Sequence, residues 1–144
     1  MNAPVAHKLY SLEILRLATS LPHNDTLDAP QGSATCRAPV CGSEITVEVS
    51  LDDNRQISAV AIRAKACALG QASAAVLREK ALGQDAAHIR AVSDSLKSAL
   101  QSGRGELAWT ELEPFRYASE FPARHGAILL PFDTLIAALQ KAAR

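Results

Sequence analysis

Two cysteines and one histidine are the side chains whose type and placement point to chemistry. Cys41 stands in Arg37-Ala38-Pro39-Val40-Cys41-Gly42-Ser43. The proline stiffens the approach and the glycine lets the backbone turn sharply beside the thiol. A cysteine with a purely structural role more often lies within a strand. Cys67, in Lys65-Ala66-Cys67-Ala68-Leu69-Gly70, falls where a strand pattern gives way to a helix pattern. Free N–H groups and the helix dipole favour thiolate over thiol at such a place, and Lys65 could assist. His125, in Pro122-Ala123-Arg124-His125-Gly126-Ala127, precedes an apolar helical run, with Pro122 suited to a first turn. Each has a plain alternative. A lone cysteine is often a small buried hydrophobe, and a histidine beside Arg and Gly is often a surface or capping residue. Cys36 precedes Cys41 by five residues, which is not a metal-binding spacing.

The elements that must position these groups follow from the hydrophobic periodicity. Glu44–Leu51 is the clearest strand: Ile45, Val47, Val49 and Leu51 alternate with Glu44, Thr46, Glu48 and Ser50. Such alternation predicts a sheet buried on one face and wet on the other. Asp52-Asp53-Asn54 signals a turn, and Gln56–Arg63 follows as the second strand of a hairpin. Ser33–Val40 reads as a short edge strand ending at Pro39. Helices are predicted over Tyr10–Leu21 and over Cys67–Leu82, the latter closed by Gly83. A further helix, capped by Asp85, follows Ile89, Val92, Leu96 and Leu100 along one face. The last forty residues look helical, with Pro114, Pro122 and Pro131 as boundaries or kinks. Strands come before most of the helices. The predicted class is α+β, a small antiparallel sheet with helices packed on one face.

Composition bounds the rest. The 144 residues make one ordinary domain, 1–144, without internal repeats. At 48% hydrophobic and 21% charged, the chain has the mix of a soluble globular protein, and with 4% aromatics its core must be aliphatic. Fifteen basic and fifteen acidic residues cancel, so no basic field is available to a nucleic acid. The longest strongly apolar run, Ala127–Phe132, is far too short to span a bilayer. No export signal opens the chain, so the cytoplasm is the expected compartment. Three cysteines there suggest reactive or metal-binding thiols rather than a disulfide framework.

Taken in order, these motifs resemble the NifU/IscU-type scaffold proteins of iron–sulfur cluster assembly. That family opens with a Tyr-Ser helix ending in an Asn-Pro-Arg-Asn-like turn, to which Leu21-Pro22-His23-Asn24 is similar. Its first ligand loop, Gly-Ala-Pro-x-Cys-Gly-Asp, resembles Arg37–Ser43. Its second cysteine opens a helix rich in small residues, as Cys67 does before Ala68-Leu69-Gly70-Gln71-Ala72. Its last motif, His-Cys or Lys-Cys, aligns with His125-Gly126. The chain departs at two places: Ser43 stands where the family has Asp, and Gly126 where it has the third cysteine.

The resemblance implies a SufE/NifU-like fold and a non-catalytic protein that binds a metal or cluster at Cys41, Cys67 and His125. It implies a cysteine desulfurase and iron–sulfur apo-proteins as partners. Two thiolates and an imidazole leave a tetrahedral metal one ligand short, a gap for water, Cys36, a homodimer or a partner to fill. Soft thiolates with imidazole suit zinc, whereas a two-iron cluster wants four ligands. Zinc, or nothing, is therefore expected to bind more readily than a stable cluster. Two other readings stand beside this one: a persulfide acceptor of SufE type using Cys41, and an interaction module that kept the fold and lost the site. For the metal reading, Cys41, Cys67 and His125 are expected to converge from three element ends.

Overall fold

The computed structural model describes residues 8–40 and 42–143. Its first complete helix, α1 (Leu12–Ser20), begins two residues later than the periodicity predicts. The reason is local: Ser11 is extended, and its Oγ accepts from the Ile14 N–H, capping the helix. Three strands follow, β1 (Gly32–Arg37), β2 (Glu44–Leu51) and β3 (Ile57–Lys65). They pair antiparallel in the order β1-β2-β3. Strand β1 stops at Arg37, short of the predicted Val40, because Pro39 has no N–H to donate. The Ala38 N–H closes the hairpin on the Ser43 carbonyl at 2.9 Å, and the Gly42 N–H bonds the Ala38 carbonyl at 2.9 Å. Gly42 does this at φ +70°, where a side chain would be strained. In the β2–β3 turn the Asp52 carboxylate accepts from the N–H groups of Asn54 and Gln56.

Helices α2 (Ala68–Lys80), α3 (Ala86–Ser102) and α4 (Pro122–Ala142) complete the fold, with a 3₁₀ segment over Thr110–Glu120. Helix α3 is capped by Asp85, as its sequence predicts, and ends at Gly103 in the left-handed region. The predicted C-terminal helical stretch is thus two elements of different pitch. Pro114 removes a ladder donor inside the first of them.

Helix α4 lies across β1 and β2, and α2 packs on β3 and α4. The alternating face of β2 meets them: Ile45, Val47 and Val49 are fully buried. Phe115 and Phe132 are the bulkiest fully buried side chains, and with the buried Trp109 they are the aromatic members of a mostly aliphatic core. The fold class is α+β, with a three-stranded antiparallel sheet. No helix among the described residues is long and apolar enough to cross a membrane.

The contact between α2 and α4 fixes the ends that matter for the site. Pro131, inside α4, lacks the N–H that the Ala127 carbonyl would otherwise accept. One residue on, the Ile128 carbonyl accepts a 2.6 Å hydrogen bond from the fully buried Ser73 Oγ of α2. Glycine at position 70 lets the helices close here, since a Cβ would stand 3.3 Å from the Ala127 carbonyl oxygen. Ser73→Ala is expected to cost about 1–2 kcal/mol, the usual penalty for losing a buried bond that leaves its acceptor desolvated. Urea unfolding monitored by circular dichroism measures this, and an unchanged midpoint would show the bond to contribute nothing.

Candidate metal centre

Cys67 is the N-cap residue of α2. Its backbone is extended (φ −67°, ψ 171°), its carbonyl accepts from the Gln71 N–H at 2.9 Å, and its side chain makes no cap bond. The thiol is half-buried and free. It belongs to the N-terminus of a helix that has no acidic residue in its first turn. Gln71, one turn on, donates its side-chain amide to the Ala66 carbonyl at 2.9 Å and so steadies the strand-to-helix junction.

His125 lies inside the first turns of α4 rather than ahead of the helix, because Pro122 already occupies the first helical position. Its Nε2 is 2.7 Å from the Ala118 carbonyl in the 3₁₀ segment. A carbonyl can only accept, so Nε2 donates a hydrogen to it, which in a neutral imidazole puts the lone pair on Nδ1. Fixing one ring nitrogen in this way is how protein ligands orient an imidazole toward a metal. The 3₁₀ segment is itself anchored. Arg116 donates to the Glu113 carboxylate at 2.9 Å and to the Gly105 carbonyl at 2.8 Å. The first of these bonds holds the Glu113 carboxyl below its ordinary range.

Three element ends meet around these residues. Position 70 of α2, one turn after Cys67, abuts Ala127 of α4, two residues after His125. A Cβ on Gly126 would lie 4.0 Å from the Ala38 methyl at the start of the β1–β2 turn. The other end of that turn leads into Glu44, which pairs in register with Lys65 just before Cys67. Cys41 itself lies outside the described residues. Among those described, no group of three or more His, Cys, Asp and Glu side chains forms a metal-holding cluster. Cys36 sits within β1 in register with Ile45, half-buried and packed against the core. It belongs to the sheet rather than to the turn.

The outward face of the sheet differs from what alternation predicts. Glu48 falls on the face that alternation predicts to be wet, yet its side chain is 16% exposed and takes part in a clasp. It accepts from the Leu27 N–H at 3.0 Å and from Arg63 at 3.2 Å. Arg63 also donates to the Asp25 carbonyl at 2.8 Å, while the Asp25 carboxylate receives Arg78 of α2 at 2.7 Å. The loop after α1 is thereby held against the sheet. Between them lies a polar cleft of about 340 Å³ lined by His23, Asn24, Glu44, Arg63, Lys65 and Gln71. The signal for it was faint: an arginine on the outward face of a strand beside two acidic residues of its neighbour.

The model of the NifU-like N terminal domain matches residues 9–107. The chain belongs to that family. A NifU-like N-terminal protein of Brucella abortus, described as nitrogen-fixing, is 28% identical with a TM-score of 0.90, over 97% of this chain and 98% of the other. A protein of Fervidobacterium islandicum, described as an iron–sulfur cluster assembly scaffold for the SUF system, is 23% identical. It superposes with a TM-score of 0.80 over 93% of this chain and 98% of its own, a likeness of fold. No match is found among curated proteins.

Two positions set this NifU-like chain apart from the motifs it resembles. Ser43, where a carboxylate would stand, is 3% exposed, and its carbonyl holds the β1–β2 turn closed. Gly126, where a third thiol would stand, is exposed on the first turns of α4. Neither position disturbs the fold around it.

Proposed function

We propose that this NifU-like chain, acting as one domain over residues 1–144, binds a metal ion or iron–sulfur cluster through Cys41, Cys67 and His125 and hands it on during cluster assembly. The observation that supports this most is the meeting of three element ends, with Ala38 against Gly126 and Gly70 against Ala127. The donor set fits the cargo. Thiolates from Cys41 and Cys67 are soft ligands, and the imidazole of His125, with Nε2–H held by Ala118, offers Nδ1. The role is binding and transfer rather than catalysis. A cysteine desulfurase supplies sulfur, and apo-proteins in the cytoplasm receive the product. With three donors of its own, the chain holds zinc more readily than a stable two-iron cluster, whose fourth ligand comes from a partner or second copy.

The test is metal loading of anaerobically purified protein, with zinc and separately with iron and sulfide, followed by metal and acid-labile sulfide analysis. Wild type is expected to retain one zinc per chain through gel filtration. His125→Ala is expected to weaken retention by about 10–100-fold or more, the range already seen when only an outer partner of a ligand is lost. Equal metal content in wild type, His125→Ala and Cys41→Ala would remove the site. A stable, stoichiometric cluster in the wild-type monomer would overturn the preference for zinc.

A further inference from the structure

We infer that the polar cleft between the loop after α1 and the outward face of β2 and β3 is a binding site for a short dicarboxylate. The inference does not rest on the metal-binding reading, since neither Cys67 nor His125 lines the cleft. Arg63 and Lys65, both lining it, are two residues apart on one face of β3, opposite Thr46 and Glu44 of β2. That spacing sets their Cα atoms roughly 6.7 Å apart, a separation that two carboxylates joined by three methylene groups can span. Arg63 is oriented through Nη1 alone, which donates to the Asp25 carbonyl at 2.8 Å and to Glu48 at 3.2 Å. Its Nε and Nη2 have no partner among the described residues and form a side-on fork for a carboxylate. Arg37 shows that same edge in use, donating from Nε and Nη2 to Glu44 Oε1 at 3.1 and 3.0 Å. Lys65 is 88% exposed and stands 3.9 Å from Glu44 Oε2, a loose pair that leaves its ammonium able to hold a second carboxylate. Glu44 is the one carboxylate lining the cleft, and Arg37 offsets its charge from outside. The exposed side chains of His23 and Asn24 add polar groups from the loop. The cleft also stands ready before any ligand arrives. The Asp25–Arg78 and Leu27–Glu48 bonds already pin the loop to α2 and to the sheet, so little ordering is left to oppose binding. At about 340 Å³ it lies at the small end of the range for ligand pockets. A neutral ligand would leave the Arg63 fork without a counter-charge, and a monocarboxylate would leave Lys65 unused.

The probe is glutarate, titrated at constant ionic strength into isotope-labelled, metal-free protein and read by backbone amide chemical shifts. Saturable shifts are expected at His23, Asn24, Arg63 and Lys65. Acetate and inorganic phosphate, which cannot reach both cations at once, should each need at least about tenfold more for half-saturation, a difference of roughly 1.4 kcal/mol. Glutaramide, the neutral analogue, should leave the spectrum unchanged. Lys65→Gln alters an exposed side chain and should raise the half-saturating glutarate concentration about fivefold, the upper value of one exposed ion pair. Glu44→Gln removes the opposing carboxylate and should lower that concentration. Equal half-saturation by glutarate, acetate and phosphate would reduce the cleft to a patch of general anion attraction and overturn the inference. Shifts confined to other parts of the chain, no saturable shift at all, or a Lys65→Gln protein that binds as wild type does would overturn it equally. Because the protein is titrated without metal, failure of the metal site at Cys67 and His125 leaves this result unaffected.

Discussion

Replacing Gly32 by alanine is expected to lower the thermal midpoint by roughly 10 °C or more, the equivalent of about 3 kcal/mol in a domain of this size. One methyl group has this effect because of what crosses above it. Gly32 opens β1 directly under the last turns of α4, and a Cβ there would stand 2.1 Å from the Ala138 carbonyl oxygen and 2.8 Å from the Ala142 nitrogen. Both are backbone atoms and cannot rotate away. Relief requires lifting the end of α4 from β1, which would strip cover from Ala34 and Val49 of the sheet and from Leu139 of the helix. Intrinsic preference pulls the other way, since alanine in a strand is favoured over glycine by about 0.5–1 kcal/mol. Overpacking of a well-filled core usually costs about 1–3 kcal/mol and sometimes more, so the clash wins. Two controls sharpen the test. Gly126→Ala meets only ordinary contact in an exposed helical turn and should be neutral or stabilising by up to about 1 kcal/mol. Gly42→Ala has open space around it and should lose only about 1 kcal/mol to its positive φ. Differential scanning calorimetry of the three variants decides, and a Gly32→Ala midpoint within 2 °C of wild type (about 0.5 kcal/mol) would show that α4 can shift at little cost.

What the sequence made legible, and what it hid, divides along the range of the forces involved. Strand β2 was plain because the burial of Ile45, Val47 and Val49 repeats with the period of the backbone itself. The caps of α1 and α3 lie within three residues of the donors they satisfy. The strand-to-helix junction at Cys67 is legible for the same reason, as its neighbours on both sides change period there. Gly32, by contrast, reads in sequence as the last residue of a polar loop. Its need for a bare Cα comes from Ala138 and Ala142, more than a hundred residues later. The clasp over the sheet is hidden in the sequence for the same reason, because Asp25 meets Arg78 and Leu27 meets Glu48 across long stretches of chain. His125 shows the intermediate case. Its place near the start of α4 was legible, but the carbonyl that fixes its tautomer belongs to a 3₁₀ turn that Pro114 disguises as ordinary helix.

Substituting Cys67 by serine should move metal retention and stability in opposite directions, which separates a ligand from a packing residue. At the N-cap the wild-type side chain makes no hydrogen bond to the helix, and the backbone already has the extended conformation a cap requires. A serine Oγ there can accept from an N–H of the first turn, a stabilisation of about 0.5–1 kcal/mol. The loss of one half-buried sulfur offsets part of this, so the variant should unfold at or slightly above the wild-type midpoint. Metal binding should collapse. A hydroxyl is a hard, protonated donor where the proposed site needs a soft thiolate, and the chain would be left with Cys41 and His125 alone. The expected loss exceeds the roughly 10–100-fold that removal of an outer partner costs a metal site. Zinc content after gel filtration, read beside a urea melt of the apo-protein, tests both signs at once. Retained zinc with a raised midpoint would make Cys67 a poor cap and nothing more. A lowered midpoint with lost zinc would make it a packing residue whose removal disturbs the site indirectly. Only a stable fold with an empty site identifies Cys67 as a ligand.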